Sequence, residues 1–343
     1  MVLAVHNFTP YTHQTLPMTA RNGATILRIV VKGGFDITAD GRTEVSAKQP
    51  PVVLEDVHWG KPGVSALRYE SEVILGKPKT DLLVNGSACA PGGRPVAHME
   101  VGLAYKGRVI KRMRVTGSRV WRRGPLGWYM SQPEPFTTMP VTFDRAFGGI
   151  DAAGAEPRNH SGVGFASQPG RDFEGSPAPN VEFADKLVSS ISDRPPPAGM
   201  GVVARHWEPR KRYAGTYDQA WLDERFPLLP DDFDDRFFQT APEDQWLDAP
   251  EGGEQIGILG MSPQGKLLFS LPPCRMAVTL HYADRKEEPP VRLETVMVEP
   301  TDGRLILTWA TTACIHGDPF KLHDIEIWPA SATGEPPTPT PGE

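Results

Sequence analysis

The sequence predicts a mainly β protein: two β-sandwich or barrel-like regions flanking a long, ordered middle segment rich in proline, glycine and aromatic residues, with few short helices. Three observations carry this. The N-terminal part holds short β-branched runs, and six short apolar runs recur at near-regular spacing after Gly253. The 36 prolines and 34 glycines make up about a fifth of the 343 residues, so long helices are disfavoured. That share stays below the roughly 25–30% that marks disorder. Charged residues (23%) and hydrophobic residues (39%) are in ordinary globular proportion.

Taken in order, "ATILRIVVKGGFDI" is β-branched and broken by a glycine pair. "SALRYESEVILGKPKTDLLVNGSA" offers two short runs separated by Gly76 and Pro78. "HMEVGLAYKGRVIKRMRV" reads as a hairpin. Met99, Val101, Leu103 and Tyr105 alternate with small or polar residues, Lys106–Gly107 is the turn, and Val109, Met113 and Val115 lie on the return strand. From about Pro125 to Pro250 the strand signal weakens while aromatics stay plentiful, which a disordered linker would not show. This middle is expected to be irregular chain packed on the sheets. Within it, Thr216 and Gln219 fit a capping box that Pro227 would end, and "PDDFDDRFF" is a second short helix candidate. The tail "SATGEPPTPTPGE" reads as a mobile, polyproline-like end. The expected organisation is a β region over 1–140, the irregular segment over 141–250, a second β region over 251–329 and the tail over 330–343.

The formal net charge of −6 gives no global argument for nucleic acid. The longest aliphatic run, "ILRIVV", contains an arginine and is far short of a membrane span of about 20 residues. The start lacks a basic and apolar signal pattern, and Cys89, Cys274 and Cys314 are odd in number and far apart. A cytoplasmic protein with reduced thiols is the expectation. Charge is nonetheless segregated. Lys106 to Arg123 holds eight basic residues and no acids, whereas Tyr213 to Gln245 holds nine acids against Arg225 and Arg236. Either acidic loops lie over basic strands, or one charged surface is left for a partner.

Motifs for chemistry are missing. There is no H-E-x-x-H, paired C-x-x-C or G-x-S-x-G. Cys314 and His316 are two apart, with Cys274 and His281 in the same half, but two ligands do not make a zinc site. The acids Asp231–Asp235 lack the glycine and distal glutamate of a calcium loop. No cofactor and no metal are expected.

The middle segment carries a resemblance. "FDRAFGG", "NHSGVGF", "PNVE", "PAGMG" and "WEPRKRYAGTYDQAWLDERFPLLPDDFDDRFFQTAPEDQ" together resemble a bacterial family of unassigned domains encoded beside type VI secretion spike genes. "VVKGGF", "KPKTDLLVNGSA" and "GGEQIGILGMSPQGKLLFSLP" extend the likeness from about Ile26 to Trp328. The chain departs from that pattern at His160, where proline is common, and at Gly34, where threonine is common. The resemblance implies an adaptor or chaperone that helps load an effector or a PAAR-like tip protein onto the VgrG spike, with no nucleic acid or membrane as partner. It supplies no catalytic residues.

Candidate partner-binding residues follow from residue type. Aromatic and arginine side chains dominate interface energetics, and Trp207, Arg210, Tyr213, Tyr217, Trp221, Phe233 and Arg236 cluster in sequence. The same types also build cores. The alternative is an enzyme, hydrolase-like, with residues scattered over β loops around His160 or His206; it requires a deep polar pocket.

Overall fold

A computed structural model of the chain describes residues 3–272, 275–315 and 322–330. Cys274, His316 and nearly all of the proline-rich tail lie outside the described residues. Strands dominate, and the single α-helix among the described residues is the six-residue Gln219–Glu224. All six C-terminal runs are strands: Gln255–Leu259, Lys266–Ser270, Arg275–Tyr282, Arg292–Glu299, Arg304–Cys314 and Leu322–Ala330. The N-terminal hairpin also forms, His98–Tyr105 against Arg108–Thr116, with a register shift between Val109 and Lys111. Its turn has positive φ at both Lys106 (49°) and Gly107 (74°), the backbone a tight two-residue hairpin requires. No described helix is long and apolar enough to cross a membrane.

The two β regions interleave. The largest sheet runs Trp246–Leu247, Thr80–Val84, Arg292–Glu299, Arg304–Cys314, Thr25–Ile37, Thr12–Thr19, with Thr43–Val45 also on Thr25–Ile37. A second sheet runs Val181–Phe183, Arg108–Thr116, His98–Tyr105, Gln255–Leu259, Lys266–Ser270. A third joins Ala4–Asn7 to Leu322–Ala330, Arg275–Tyr282 and Lys286–Glu287. Each of the three takes strands from both ends of the chain.

One face of the largest sheet (Ile29, Val31, Leu82, Val84, Val296, Leu305) meets Val101, Leu103 and Met113 of the second sheet and Val278, Leu280 and Ile325 of the third in one core. Its other face carries Leu83, Met297 and Ile306 and is covered by Phe143, Val202, Val203 and Trp207 of the middle segment. Thr25–Ile37 is therefore enclosed on both sides, and every residue from Ile26 to Phe35 is buried. That includes two cations. Arg28 pairs with Glu294, and Lys32 Nζ lies 3.0 Å from Glu72.

Buried charge also holds the middle segment down. Asp81, fully enclosed, accepts hydrogen bonds from Lys77 Nζ (2.6 Å), Gln239 Nε2 (2.6 Å), Thr240 N (2.7 Å) and Thr240 Oγ1 (2.8 Å). A second clamp sits at Lys111, whose Nζ donates to Gly199 O (2.9 Å) and Gln245 Oε1 (2.6 Å) and lies 2.9 Å from Asp244. Burial lowers the Lys111 pKa, and Asp244 opposes that shift. Gln245 in turn donates to Leu82 O (2.5 Å) and Met200 O (3.0 Å), linking strand and cover.

Removing one partner of such a buried set strands the others without counter-charge, so Asp81→Ala should cost about 3–5 kcal/mol. Urea denaturation reads it, and a loss under about 1 kcal/mol, the worth of a surface pair, would contradict the assignment. Two tyrosines set a pH limit. Burial, then the bond to Glu299, pushes Tyr69 up to about 12; burial, then Glu254 and Asp248, pushes Tyr105 up to about 12. The unfolded chain releases these protons near pH 10 while the folded chain keeps them. Their contribution is complete below pH 10 and is lost as pH rises from 10 to 12. The Tyr69→Phe/Tyr105→Phe double variant should show a shallower decline of stability over that window; an unchanged slope would refute the linkage.

Candidate functional site

The candidate residues separate into two groups. Trp207, Arg210, Tyr213 and Phe233 are buried and cannot meet a partner on the surface, which corrects their expected role. Each instead secures the acidic segment from within. Trp207 packs edge-on against Phe143 (centroids 5.7 Å, 78°). Arg210 forms a fork on Glu70, Nη1 to Oε2 at 2.7 Å and Nη2 to Oε1 at 3.2 Å. The same guanidinium donates to Val203 O (2.6 Å) and Phe237 O (2.7 Å). Phe233 sits among Phe237 and Phe238, with centroids 5.5 and 5.3 Å away. Tyr213 is roofed by the guanidinium of Arg236, 4.4 Å above its ring. Arg236 is exposed but tied to Asp234, so it serves as that roof.

Tyr217 and Trp221 reach the surface. Tyr217 is 52% exposed and meets Trp221 edge-on at 4.7 Å; Trp221 meets Phe226 edge-on at 5.6 Å. Leu222 (50% exposed) and Phe226 (62%) complete an aromatic ridge on and beside the short helix. Exposed clusters of this kind mark interaction surfaces more often than scattered single residues do. Sequence reading missed Leu222 and Phe226. The available signal was length: a six-residue helix between Gly215 and Pro227 has too little surface facing the protein to bury Trp221, Leu222 and the nearby Phe226 together.

The ridge is held rigidly. The helix cap is Asp218, whose carboxylate accepts from Trp221 N (2.9 Å), in place of the expected Thr216. Thr216 instead donates through N and Oγ1 to Asp232 (2.9 and 2.8 Å), and these bonds hold the Asp232 carboxyl below the usual carboxylate range. Gly215 turns into the helix with φ +80°, and a Cβ there would lie 2.8 Å from Asp232 Oδ1. Trp221 Nε1 donates to Leu228 O (2.8 Å), and Arg225 donates to Leu229 O (3.0 Å) and Arg21 O (3.1 Å). The second helix candidate is a 3-10 turn, Asp235–Phe238, capped by Asp234.

The basic run pairs with acids elsewhere in the chain, and the acidic segment pairs partly within itself. Asp231 pairs with Arg225, Asp234 with Arg236 and Asp235 with Arg21; Asp244 alone reaches the basic run, at Lys111. Asp218, Asp223 and Glu224 stay exposed around the ridge and form no ion pair among the described residues. Elsewhere, the rings of His160 and His206 lie 5.4 Å apart, and neither is hydrogen-bonded to a carboxylate among the described residues. Burial, then His160, lowers the His206 pKa. His160 borders an open depression of about 520 Å³ with Asp151 and Ser161. The described residues hold no group of three or more metal-ligating side chains.

Because Arg210 joins Glu70, Val203 and Phe237 at once, Arg210→Ala should cost about 3–5 kcal/mol and expose 213–245 to protease. Limited proteolysis mapped by mass spectrometry reads this. Cleavage of the variant at the wild-type rate and positions would contradict an anchoring role.

No curated protein and no solved structure matches the chain. A family model does match, over residues 22–310, most of the length. The chain therefore belongs to the family described as uncharacterized proteins conserved in bacteria (DUF2169).

Proposed function

We propose that this chain is a type VI secretion accessory protein, an adaptor or chaperone that binds an effector or PAAR-like tip protein in the cytoplasm and helps load it onto the VgrG spike. The observation that supports this most is the ridge of exposed Tyr217, Leu222 and Phe226 around the half-buried Trp221, which backbone and side-chain hydrogen bonds fix. Pre-organised aromatic side chains lose little conformational entropy on binding, and such anchors dominate interface energy. The rim of Asp218, Asp223 and Glu224 suits a client segment that is apolar and basic.

In this reading the protein transfers no chemical group. It covers apolar client surface until the spike assembles and is then displaced. The anchors Trp207, Arg210, Tyr213 and Phe233 keep the ridge presented without touching the client.

The test is co-expression with an effector and tip protein encoded beside a spike gene in the same genome, followed by co-purification and titration. Wild type should raise cargo solubility and co-purify. Trp221→Asp or Phe226→Asp should weaken the complex by about 2 kcal/mol or more, roughly thirtyfold, with the fold retained by circular dichroism. No binding of wild type to effector, tip protein or spike would overturn the reading.

A further inference from the structure

A second surface stands apart from the ridge. Trp121–Gly124 and Gly127–Met130 form a two-stranded hairpin of their own, with Arg122 opposite Tyr129 and Arg123 opposite Trp128. Residues directly opposite share a face, and faces alternate along each strand. One face is the root. Trp121 is buried with Phe147, Ala178 and Val188, Trp128 and Met130 pack on that cluster, and Trp128 meets Phe173 edge-on at 5.9 Å. The other face presents Arg122 and Tyr129 to solvent, and Leu126 at the tip is fully exposed (104%). Arg122 and Arg123 are exposed and form no ion pair among the described residues, although Lys106, Lys111, Arg112 and Arg119 of the same basic run each have one.

An exposed Leu and Tyr on the face that also carries the Arg122 guanidinium call for an apolar surface rimmed by carboxylates. The chain carries such a surface: the ridge, with Asp218, Asp223 and Glu224 exposed and in no ion pair among the described residues. We propose that the Trp121–Met130 hairpin of one copy seats on the Tyr217–Phe226 ridge of a second copy, with Leu126 and Tyr129 against the aromatic rings and Arg122 on the acidic rim. The surfaces differ, so the contact is heterologous and propagates into a ring or a chain. The contact is small and rim-charged, so the association is weak and salt-sensitive. It uses the ridge assigned above to the client but needs no client, and a client on the ridge would compete with it.

Sedimentation velocity of the full chain, without any cargo, tests this. Wild type should shift to larger species with concentration, and added salt should reverse the shift. The hairpin variant Arg122→Glu/Leu126→Ser and the ridge variant Asp223→Lys/Glu224→Lys/Phe226→Ser should each be monomeric, with self-affinity lowered roughly tenfold or more. Circular dichroism and thermal melts confirm that both fold. Mixed together, the two should form a one-to-one dimer that grows no further, because each supplies the surface the other lacks. Wild type monomeric up to its solubility limit, or a mixture that stays monomeric, overturns the proposal. In the first case, retention of wild type but not the hairpin variant on phosphatidylserine vesicles would give the hairpin to a lipid surface instead. Failure here leaves the cargo titration untouched, since that experiment depends on the ridge alone.

Discussion

The structure depends on charge buried between the second face of the largest sheet and the irregular chain that covers it. Asp81 has no contact with solvent and four donors around it, two of them from Thr240 and one from Gln239. Desolvating a carboxylate is costly, and only a complete set of partners offsets it. The arrangement is therefore close to all-or-none. If the cover lifts, Asp81 and Lys77 lose partners that no sheet residue replaces. Glu70 with Arg210, and Lys111 with Asp244 and Gln245, repeat the device at two further places along the same cover.

This explains how a segment with one six-residue helix can hold a surface steady. Loops normally belong to the least stable part of a protein because they bury little and bond mainly to water. Here one end of the acidic segment is tied by Arg210 to Glu70, and the other is joined to strands by Gln239, Thr240 and Gln245. Tyr217, Trp221 and Phe226 ride between these fixed points. The exposure of Tyr217 and Phe226 is thus maintained by the fold and does not come from local looseness, and a rigid aromatic surface recognises a polypeptide at low entropic cost.

Much of the architecture was legible in the sequence. The six C-terminal runs and the Lys106–Gly107 hairpin have local causes, namely alternation, β-branched residues and turn chemistry, and all became strands. The sheet order was not legible. Thr80–Val84 lies parallel to Arg292–Glu299, and Arg28 meets a glutamate 266 residues away. Local pattern assigns Arg28, Lys32 and Asp81 to the surface, because the partners that make their burial tolerable are remote. The same blindness misplaced four of the seven candidate residues. Residue type marked Trp207, Arg210, Tyr213 and Phe233 as interface anchors; they are anchors, but inside the protein, Trp207 on the sheet and the others within and beside their own segment. Tyr217 and Trp221 were found, while Leu222 and Phe226 required knowing how little the helix could bury.

Native-state amide hydrogen exchange on the unmodified protein tests the central claim most directly. Val203 N donates to Thr240 O and Gln245 N to Pro242 O within the cover, and Thr240 N donates across to Asp81 of the sheet. If buried charge fastens cover to sheet, these amides exchange as slowly as those of Thr25–Ile37 and through the same global opening. Fast exchange across 203–245 under conditions where the central strands stay protected would show that the cover opens by itself, and would contradict the account.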